Sequence, residues 1–315
     1  MNYIWLDCDP GHDDATAILL AIHCSNIRLL GVSTVHGNTT AENTKINASR
    51  CLHAFAAPAD IKVYGGAIKP LLRPTRHDPE IHGPDGLGGV EGLPSADSSL
   101  VRTRIDHRPA IEAIAGALRR TWNDSAGVKV TIVASGPLTN IALFVSVYPD
   151  LLDAIERIVF MGGGIGVGNR SAVAEFNILC DPEAAQIVLN APVPKTMIPL
   201  NVTHKAIVTN SLHNKLINNS LTHEAQSELA SSQLRHTLST LISFFKESYK
   251  STFGFLDGPP LHDALTIAYV ARPELFTRLR GIHTTGETIA AFFDFFLDCV
   301  AKCDRVSPLN QKCTS

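Results

Sequence analysis

The sequence predicts an α/β fold, Rossmann-like, in which a mostly parallel central sheet carries helices on both faces. Two observations support this prediction. Apolar strand-like runs alternate along the chain with segments of helical periodicity. The runs are also nearly continuous in apolar residues, which is typical of strands buried on both faces. They lie at 3–6, 27–35, 62–64, 128–134, 157–161 and 195–200.

The helical segments are predicted from apolar residues spaced three or four positions apart. In the first of them, Ala17, Leu20, Ala21 and Cys24 have this spacing. The predicted helical segments are 14–24, 40–57, 139–147, 182–189, 220–258, 265–270 and 289–300. The segment 66–108 is rich in Gly, Pro and His and is predicted to be a long irregular excursion, and loops of this length in compact domains are often functional.

Composition narrows the class of protein. The net charge of −3 and the pI near 6.5 indicate no basic face, so nucleic acid is not an expected partner. No run of 18 apolar residues is present, so no transmembrane helix is expected, and the N-terminus has the pattern of a buried strand and not of a signal peptide. Seven scattered cysteines are interpreted as reduced thiols, which favours a cytoplasmic location.

Four carboxylates crowd the end of the first predicted strand, in the stretch DCDPGHDDA at 7–15. Like charges at close range raise one another's pKa, so such a cluster usually serves a cation or catalysis. An all-oxygen donor set suits a hard cation such as calcium or magnesium. Cys8 should point to the opposite face of the strand from its neighbours, which disfavours zinc.

Polar or glycine-rich residues follow the other predicted strands as well. They are His36-Gly37-Asn38, Ser135-Gly136, Met161-Gly162-Gly163-Gly164 and Asn201. Because ligands of open α/β sheets bind beyond the carboxyl ends of the strands, we expect these groups to share one site. Each asparagine taken alone is equally typical of a helix cap, His262 of a core or cap histidine, and His82 of an exposed loop.

The ordered motifs resemble those of the calcium-dependent nucleoside hydrolases. The motifs are DCDPGHDDA at 7–15, HGN at 36–38, SGPLTN at 135–140, MGGG at 161–164, VAEFN at 173–177, DPEAA at 181–185 and LHDA at 261–264. The resemblance runs from Tyr3 to about Arg280 and is nearest to the inosine–uridine type, which has a histidine at the position of His262. It implies hydrolysis of the N-glycosidic bond of ribonucleosides such as uridine and inosine to ribose and free base, in nucleoside salvage.

The resemblance also implies roles for individual residues. Calcium would be held by Asp9, Asp14, Asp263 and the backbone carbonyl of Ser135. Asp9 would take a proton from the water held by calcium, and His262, expected to titrate near neutrality, would protonate the leaving base. The implied ribose contacts are Asp13, Asn38, Asn169, Glu175 and Asn177, with Met161 and Phe176 packing on the sugar and His82 near the base. Asp7 would support the site as a hydrogen-bond acceptor, and Tyr249 is a candidate contact to the base.

Two other classes of protein share parts of the pattern. Phosphatases of the haloacid dehalogenase type also begin with a strand and DxD, but they place Thr or Val where this chain has Gly11. A non-catalytic calcium- or nucleoside-binding descendant of the hydrolases is the second alternative, and the presence of Asp9, Asp14, His262 and Asp263 argues against it.

The C-terminal region departs from the family pattern. The chain is expected to form a single domain over 1–315, with an atypical, shortened region after about 280. The missing material is expected to leave an apolar patch exposed around Phe292, Phe293, Phe295 and Phe296. By resemblance, the protein is expected to be a homodimer or homotetramer.

Overall fold

A parallel sheet forms the centre of the fold. The computed structural model describes residues 1–124, 127–218, 229–279, 281–283 and 286–311. Within these ranges the sheet has seven strands in the order β4-β3-β2-β1-β5-β6-β7, and every neighbouring pair is parallel. The strands are β1 Asn2–Cys8, β2 Ile27–Thr34, β3 Val63–Gly65, β4 Ile105–Asp106, β5 Val130–Ala134, β6 Ile155–Met161 and β7 Lys195–Ile198. The predicted fold class is confirmed. Within this sheet, only β4 has no predicted counterpart, because it is too short to show a periodic pattern.

Helices cover both faces of this sheet. They are α1 His12–His23, α2 Ala41–Ala54, α3 Pro79–His82, α4 Ser99–Arg102, α5 Ala110–Asp124, α6 Thr139–Val147, α7 Phe176–Cys180, α8 Pro182–Asn190, α9 Leu200–Thr203, α10 Asn210–Asn218, α11 Gln233–Phe253, α12 Ala264–Ala271 and α13 Gly286–Val306. Short 3-10 helices span Pro149–Ala154, Pro273–Leu275 and Pro308–Asn310. No helix within the described ranges has the length and apolar character needed to cross a bilayer.

The central strand β1 explains the two layers. Its side chains alternate, so Leu6 and Cys8 face one apolar core with α1, α2, α11, α12 and α13, whereas Trp5 faces a second core with α5, α6 and α8. Because both faces of β1 are buried, its sequence is an apolar run without the polar alternation of a half-exposed strand. Cys8 therefore points away from Asp7, as predicted.

The strand order determines where a ligand can bind. Strand β1 lies between β2 and β5. On one side of β1 the sheet continues with β2, β3 and β4, and on the other side with β5, β6 and β7. At such a switch point the connections diverge, which leaves a crevice beyond the carboxyl ends of the strands. The acidic stretch that follows β1 lies in this crevice.

The C-terminal helix corrects one prediction. Phe292, Phe293 and Phe296 are buried, at 1%, 3% and 3% exposure, and Phe295 is half-buried. They pack in the same core as α1, since α13 presents these phenylalanines to the body of the protein. The expected exposed apolar patch is therefore wrong.

A small hairpin precedes this helix, formed by the antiparallel strands β8 Thr277–Leu279 and β9 Gly281–His283. Of the predicted helical region 220–258, α11 covers Gln233–Phe253, while 219–228 lies outside the described residues. Residues 312–315, at the end of the atypical C-terminal region, also lie outside them.

Candidate active site

A buried carboxylate cluster lies where β1 meets α1. Asp13 and Asp14 are in the first turn of α1, and Asp263 directly precedes α12. One carboxylate oxygen from each of these three residues lies within 4.8 Å of the other two. Burial raises the pKa of all three carboxyl groups and of Asp9, and repulsion from neighbouring carboxylates adds to the rise at Asp9, Asp13 and Asp263.

No lysine or arginine of the described residues forms an ion pair with any of these carboxylates. The groups that orient the carboxylates are instead neutral donors. Asp14 accepts hydrogen bonds from the Ser135 hydroxyl at 2.6 Å, the Gly11 amide at 3.0 Å and the Asn38 side chain at 3.2 Å. The Asn38 amide donates to Asp9 at 2.8 Å. Several buried carboxyl groups thus lie together without a compensating cation from the described residues, and their oxygen donors fit a hard metal ion.

The geometry differs in part from the predicted ligand set. The close triad consists of Asp13, Asp14 and Asp263, and Asp9, which was predicted as a ligand, is not one of its three members. The carbonyl of Ser135, predicted as a ligand, accepts a hydrogen bond from the Asn177 side chain at 2.7 Å. The Asp9 side chain lies close to the backbone of 136, since a Cβ atom on Gly136 would lie 2.5 Å from an Asp9 carboxylate oxygen.

Asp7 is separate from this cluster. Its carboxylate accepts hydrogen bonds from the Ser33 hydroxyl and, at 2.8 Å, from the Asn140 side chain. Burial raises its pKa to about 7, against the lowering effect of these two donors. Asp7 therefore has the supporting position that the sequence predicted.

A cavity opens beside the carboxylates. Eleven of the predicted site residues line it: Asp13, Asn38, His82, Ser135, Met161, Asn169, Glu175, Phe176, Asn177, His262 and Asp263. Asp9 and Asp14 are buried and are not among the lining residues. Asn201 does not line the cavity, and its side chain instead bonds both backbone polar groups of Ile165.

The glycine-rich loop after β6 builds one side of the cavity. Glu175 caps α7, and its carboxylate accepts from the amides of Asn177 at 2.9 Å, Gly163 at 3.0 Å and Ile178 at 3.1 Å. The positive φ of +72° at Gly163 turns the backbone amide toward this carboxylate, a conformation that favours glycine. Asn169 accepts from the Phe176 amide at 2.9 Å, so the loop holds two oxygen-bearing side chains at the cavity.

His262 lies on the other side of the cavity between two hydroxyl groups. Its Nδ1 is 2.7 Å from the Thr203 hydroxyl and its Nε2 is 2.7 Å from the Tyr249 hydroxyl. Burial, followed by the nearby His204, lowers the pKa of His262 well below its usual range. The expectation that His262 titrates near neutrality is therefore wrong, because a buried imidazole with neutral partners favours the uncharged form.

Sequence reasoning missed part of the cavity wall. Asp78, Ile81, Arg170 and Phe253 also line it, and Tyr249, which the sequence offered only as a candidate, is a lining residue. Asp78 and Ile81 lie in the irregular segment 66–108, where no periodicity marks individual residues. Arg170 follows Asn169 directly, and that adjacency is the only signal that the sequence carries for it.

The fold and the site together define a class of protein: an α/β enzyme with a buried acidic centre, suited to a metal ion, at the switch point of a parallel sheet. The chain belongs to the inosine-uridine preferring nucleoside hydrolase family, whose model matches residues 4–310. It is a ribonucleoside hydrolase, an enzyme that cleaves ribonucleosides to ribose and free base. The phosphatase alternative is thereby set aside.

Curated relatives and solved structures agree with this assignment. The chain is 40% identical to a probable ribonucleoside hydrolase of Dictyostelium discoideum over 87% of its length and 78% of the relative's. It is 37% identical to the pyrimidine-specific ribonucleoside hydrolase RihA of Salmonella paratyphi A, over 92% and 88% of the two chains. The structure of a purine-preferring ribonucleoside hydrolase from Gardnerella vaginalis is similar with a TM-score of 0.82 at 25% identity, covering 97% of this chain and 100% of that one.

Proposed function

We propose that this protein is a calcium-dependent hydrolase of uridine, inosine and similar ribonucleosides, acting in nucleoside salvage. The observation that carries the proposal is the buried cluster of Asp13, Asp14 and Asp263, which borders a cavity that His262 also lines. The carboxylate cluster can deliver a nucleophile, and His262 can serve the leaving base. Relatives that carry pyrimidine and purine preferences in their names are both similar to this chain, so both kinds of nucleoside belong in the assay.

The residues present fit a calcium ion. Carboxylate and carbonyl oxygens are its preferred donors, and Asp14, Asp263, Asp9 and the Ser135 carbonyl would hold it, with the Asp13 carboxylate near enough to join them. Bound calcium would supply positive charge that holds a water molecule and makes it more acidic. It would also remove the repulsion among the buried carboxylates.

Asp9 is the proposed general base. Its carboxylate is oriented by the Asn38 amide and is confined by the backbone at Gly136, so it can receive a proton from the attacking water without reorganising. Cleavage of an N-glycosidic bond develops positive charge on the sugar and negative charge on the base. The nearby carboxylates would stabilise that sugar charge.

The ribose would be held by polar side chains on the cavity wall. Those proposed are Asp13, Asn38, Asn169, Glu175 and Asn177, with Met161 and Phe176 packed against the sugar. Several have their orientation set by backbone hydrogen bonds, which lowers the cost of ordering the site when the substrate binds.

His262 and Tyr249 are proposed to protonate the leaving base. Burial favours the neutral imidazole, which carries one ring proton. That proton and the hydroxyl proton of Tyr249 are the two that can be donated to the base, and the 2.7 Å contact between the side chains links them. His82, which lines the cavity and contacts the His12 ring at 3.3 Å between Nδ1 atoms, would lie near the base.

We further propose that the protein acts in the cytoplasm as a single-domain homodimer or homotetramer. The cytoplasmic location is supported by the six described cysteines, all of which are buried free thiols. The oligomeric state rests on the family resemblance alone, and gel filtration with light scattering would measure it.

The test is ribose release from uridine and inosine, measured as reducing sugar, with calcium and then with a chelator. We expect release by the wild type in calcium, loss of release in chelator, and loss in Asp9→Asn. Asp153→Asn is the matched control, because Asp153 is an exposed carboxylate away from the cavity. A folded, calcium-loaded wild type that releases no ribose would contradict the proposal and favour a non-catalytic descendant.

A further inference from the structure

Two charged residues that the mechanism does not use stand at the edge of the cavity. Asp78, from the segment before α3, forms an ion pair with Arg170, from the loop after β6. Their side chains are only 10% and 19% exposed. Both also line a second cavity, formed with residues 76–80, 176 and 179, so the pair stands between that cavity and the one beside the carboxylates.

Arg170 also connects to the far wall of the site. Its guanidinium carbon lies 5.7 Å from the ring centre of Phe176 and 5.2 Å from that of Phe253, within the range of cation–π attraction. Phe253 lies 5.1 Å from the ring of Tyr249 at the end of α11. One guanidinium group therefore contacts an acid and two aromatic rings that come from three separate segments of the chain.

The same segments carry the proposed substrate contacts. The backbone amide of Asp78 donates to the Asn38 carbonyl at 3.0 Å, and its carbonyl accepts from the His82 amide at 3.0 Å. On the other side, the amides of Asn169 and Arg170 both donate to the Ala174 carbonyl at 3.1 Å. The ion pair is thus the side-chain link between the segment of His82 and the loop of Asn169.

We propose that Arg170 and Asp78 are positioning residues that hold the three walls of the nucleoside cavity in their substrate-binding arrangement. This inference rests on the proposed function. Without the pair, the walls would have to be ordered by the substrate itself, and the free energy of that ordering would be lost from binding. Apart from Tyr249, the groups proposed for chemistry have partners outside the pair, Asp14 in Ser135 and Asn38 and His262 in Thr203, so catalysis after binding should change little.

The expected effect is therefore a split between KM and kcat. Arg170→Met, which keeps the length and removes the charge, should raise KM for uridine or inosine about tenfold, corresponding to about 1.4 kcal/mol. Its kcat should stay within about threefold. Asp78→Asn should raise KM in the same way, and Arg170→Lys, which keeps the charge but not the planar fork, should recover part of the loss.

The double variant is the sharpest measurement. If the two residues act only through each other, Arg170→Met with Asp78→Asn should raise KM no further than the more severe single variant. Arg73→Met is the matched control, because Arg73 also forms an ion pair, with Glu183. These side chains are 56% and 27% exposed, and neither residue lines either cavity. Its KM should equal that of the wild type.

Several results would overturn the inference while the enzyme remains active. They are an unchanged KM in Arg170→Met, multiplicative effects in the double variant, or a fall in kcat at constant KM. If Arg170→Met does not fold, the KM values of Arg170→Lys and Asp78→Asn test the inference instead. An unchanged KM in both variants overturns it. A wild type that releases no ribose would overturn the proposed function first, and this inference with it.

Discussion

The buried carboxylate cluster leads to a prediction about stability that is independent of catalysis. Asp263 lies within 4.8 Å of Asp13 and Asp14, and its pKa is raised first by burial and then by these neighbours and Asp9. Replacing it by asparagine keeps the shape and removes one negative charge. Two charges at this distance repel by about 3 kcal/mol at an effective dielectric of about 20.

Without a metal ion, Asp263→Asn should therefore be more stable than the wild type, by about 1–3 kcal/mol. The lower figure applies if the clustered carboxyl groups are partly protonated, which the raised pKa values favour. With calcium the advantage of the variant should shrink. At a calcium concentration one hundred times Kd, the wild type gains about 2.7 kcal/mol, while the variant, which lacks one proposed ligand, should gain less than half of that.

The assay is thermal and urea unfolding followed by circular dichroism, in chelator and in calcium. For 315 residues, a gain of 2.7 kcal/mol corresponds to a rise in Tm of about 4 °C, since the unfolding entropy is about 2.1 cal/mol/K per residue. Asp153→Asn serves as control and should shift equally with the wild type. A variant that is less stable than the wild type in chelator, yet gains the same stabilisation from calcium, would refute the reasoning.

Three further predictions follow from single contacts. Gly136→Ala should lower kcat at least a hundredfold, because the new Cβ would lie 2.5 Å from an Asp9 oxygen and displace the base; steady-state ribose release measures this, and a loss under threefold would contradict it. Tyr249→Phe should lower kcat about tenfold or more at nearly constant calcium affinity, since the hydroxyl 2.7 Å from His262 is removed; an unchanged kcat would exclude the proposed relay. Phe292→Ala should cost about 3–5 kcal/mol in urea unfolding, because this ring is buried in the core and leaves a cavity, whereas a cost below 1 kcal/mol would mean that α13 is not part of the core.

The sheet and its helices followed from local pattern. All six predicted runs overlap a strand, and the predicted helix at 139–147 has the bounds of α6. Such agreement is expected where strands are buried on both faces and helices place apolar residues every three or four positions. Both patterns can be recognised from neighbouring residues in the sequence alone. The C-terminal phenylalanines show the opposite case, since four aromatic residues in a helix give the same pattern whether the face they form meets solvent or α1.

The site also has a part that local sequence predicts and a part that depends on tertiary contacts. The sequence by itself determined which polar groups follow each strand, because short-range order places Asp9, Asn38, Ser135 and Glu175 after β1, β2, β5 and β6. Parallel pairing then brings these ends to one edge, whatever the side-chain details.

Only the tertiary structure decided how those groups meet. It grouped Asp13 with Asp14 and Asp263, and it placed Arg170 against Asp78, 92 positions away in the chain. It also buried His262 between two hydroxyl groups, which lowered its pKa. These properties depend on distances and on exclusion of water between segments remote in sequence, and no local pattern of residues encodes either quantity.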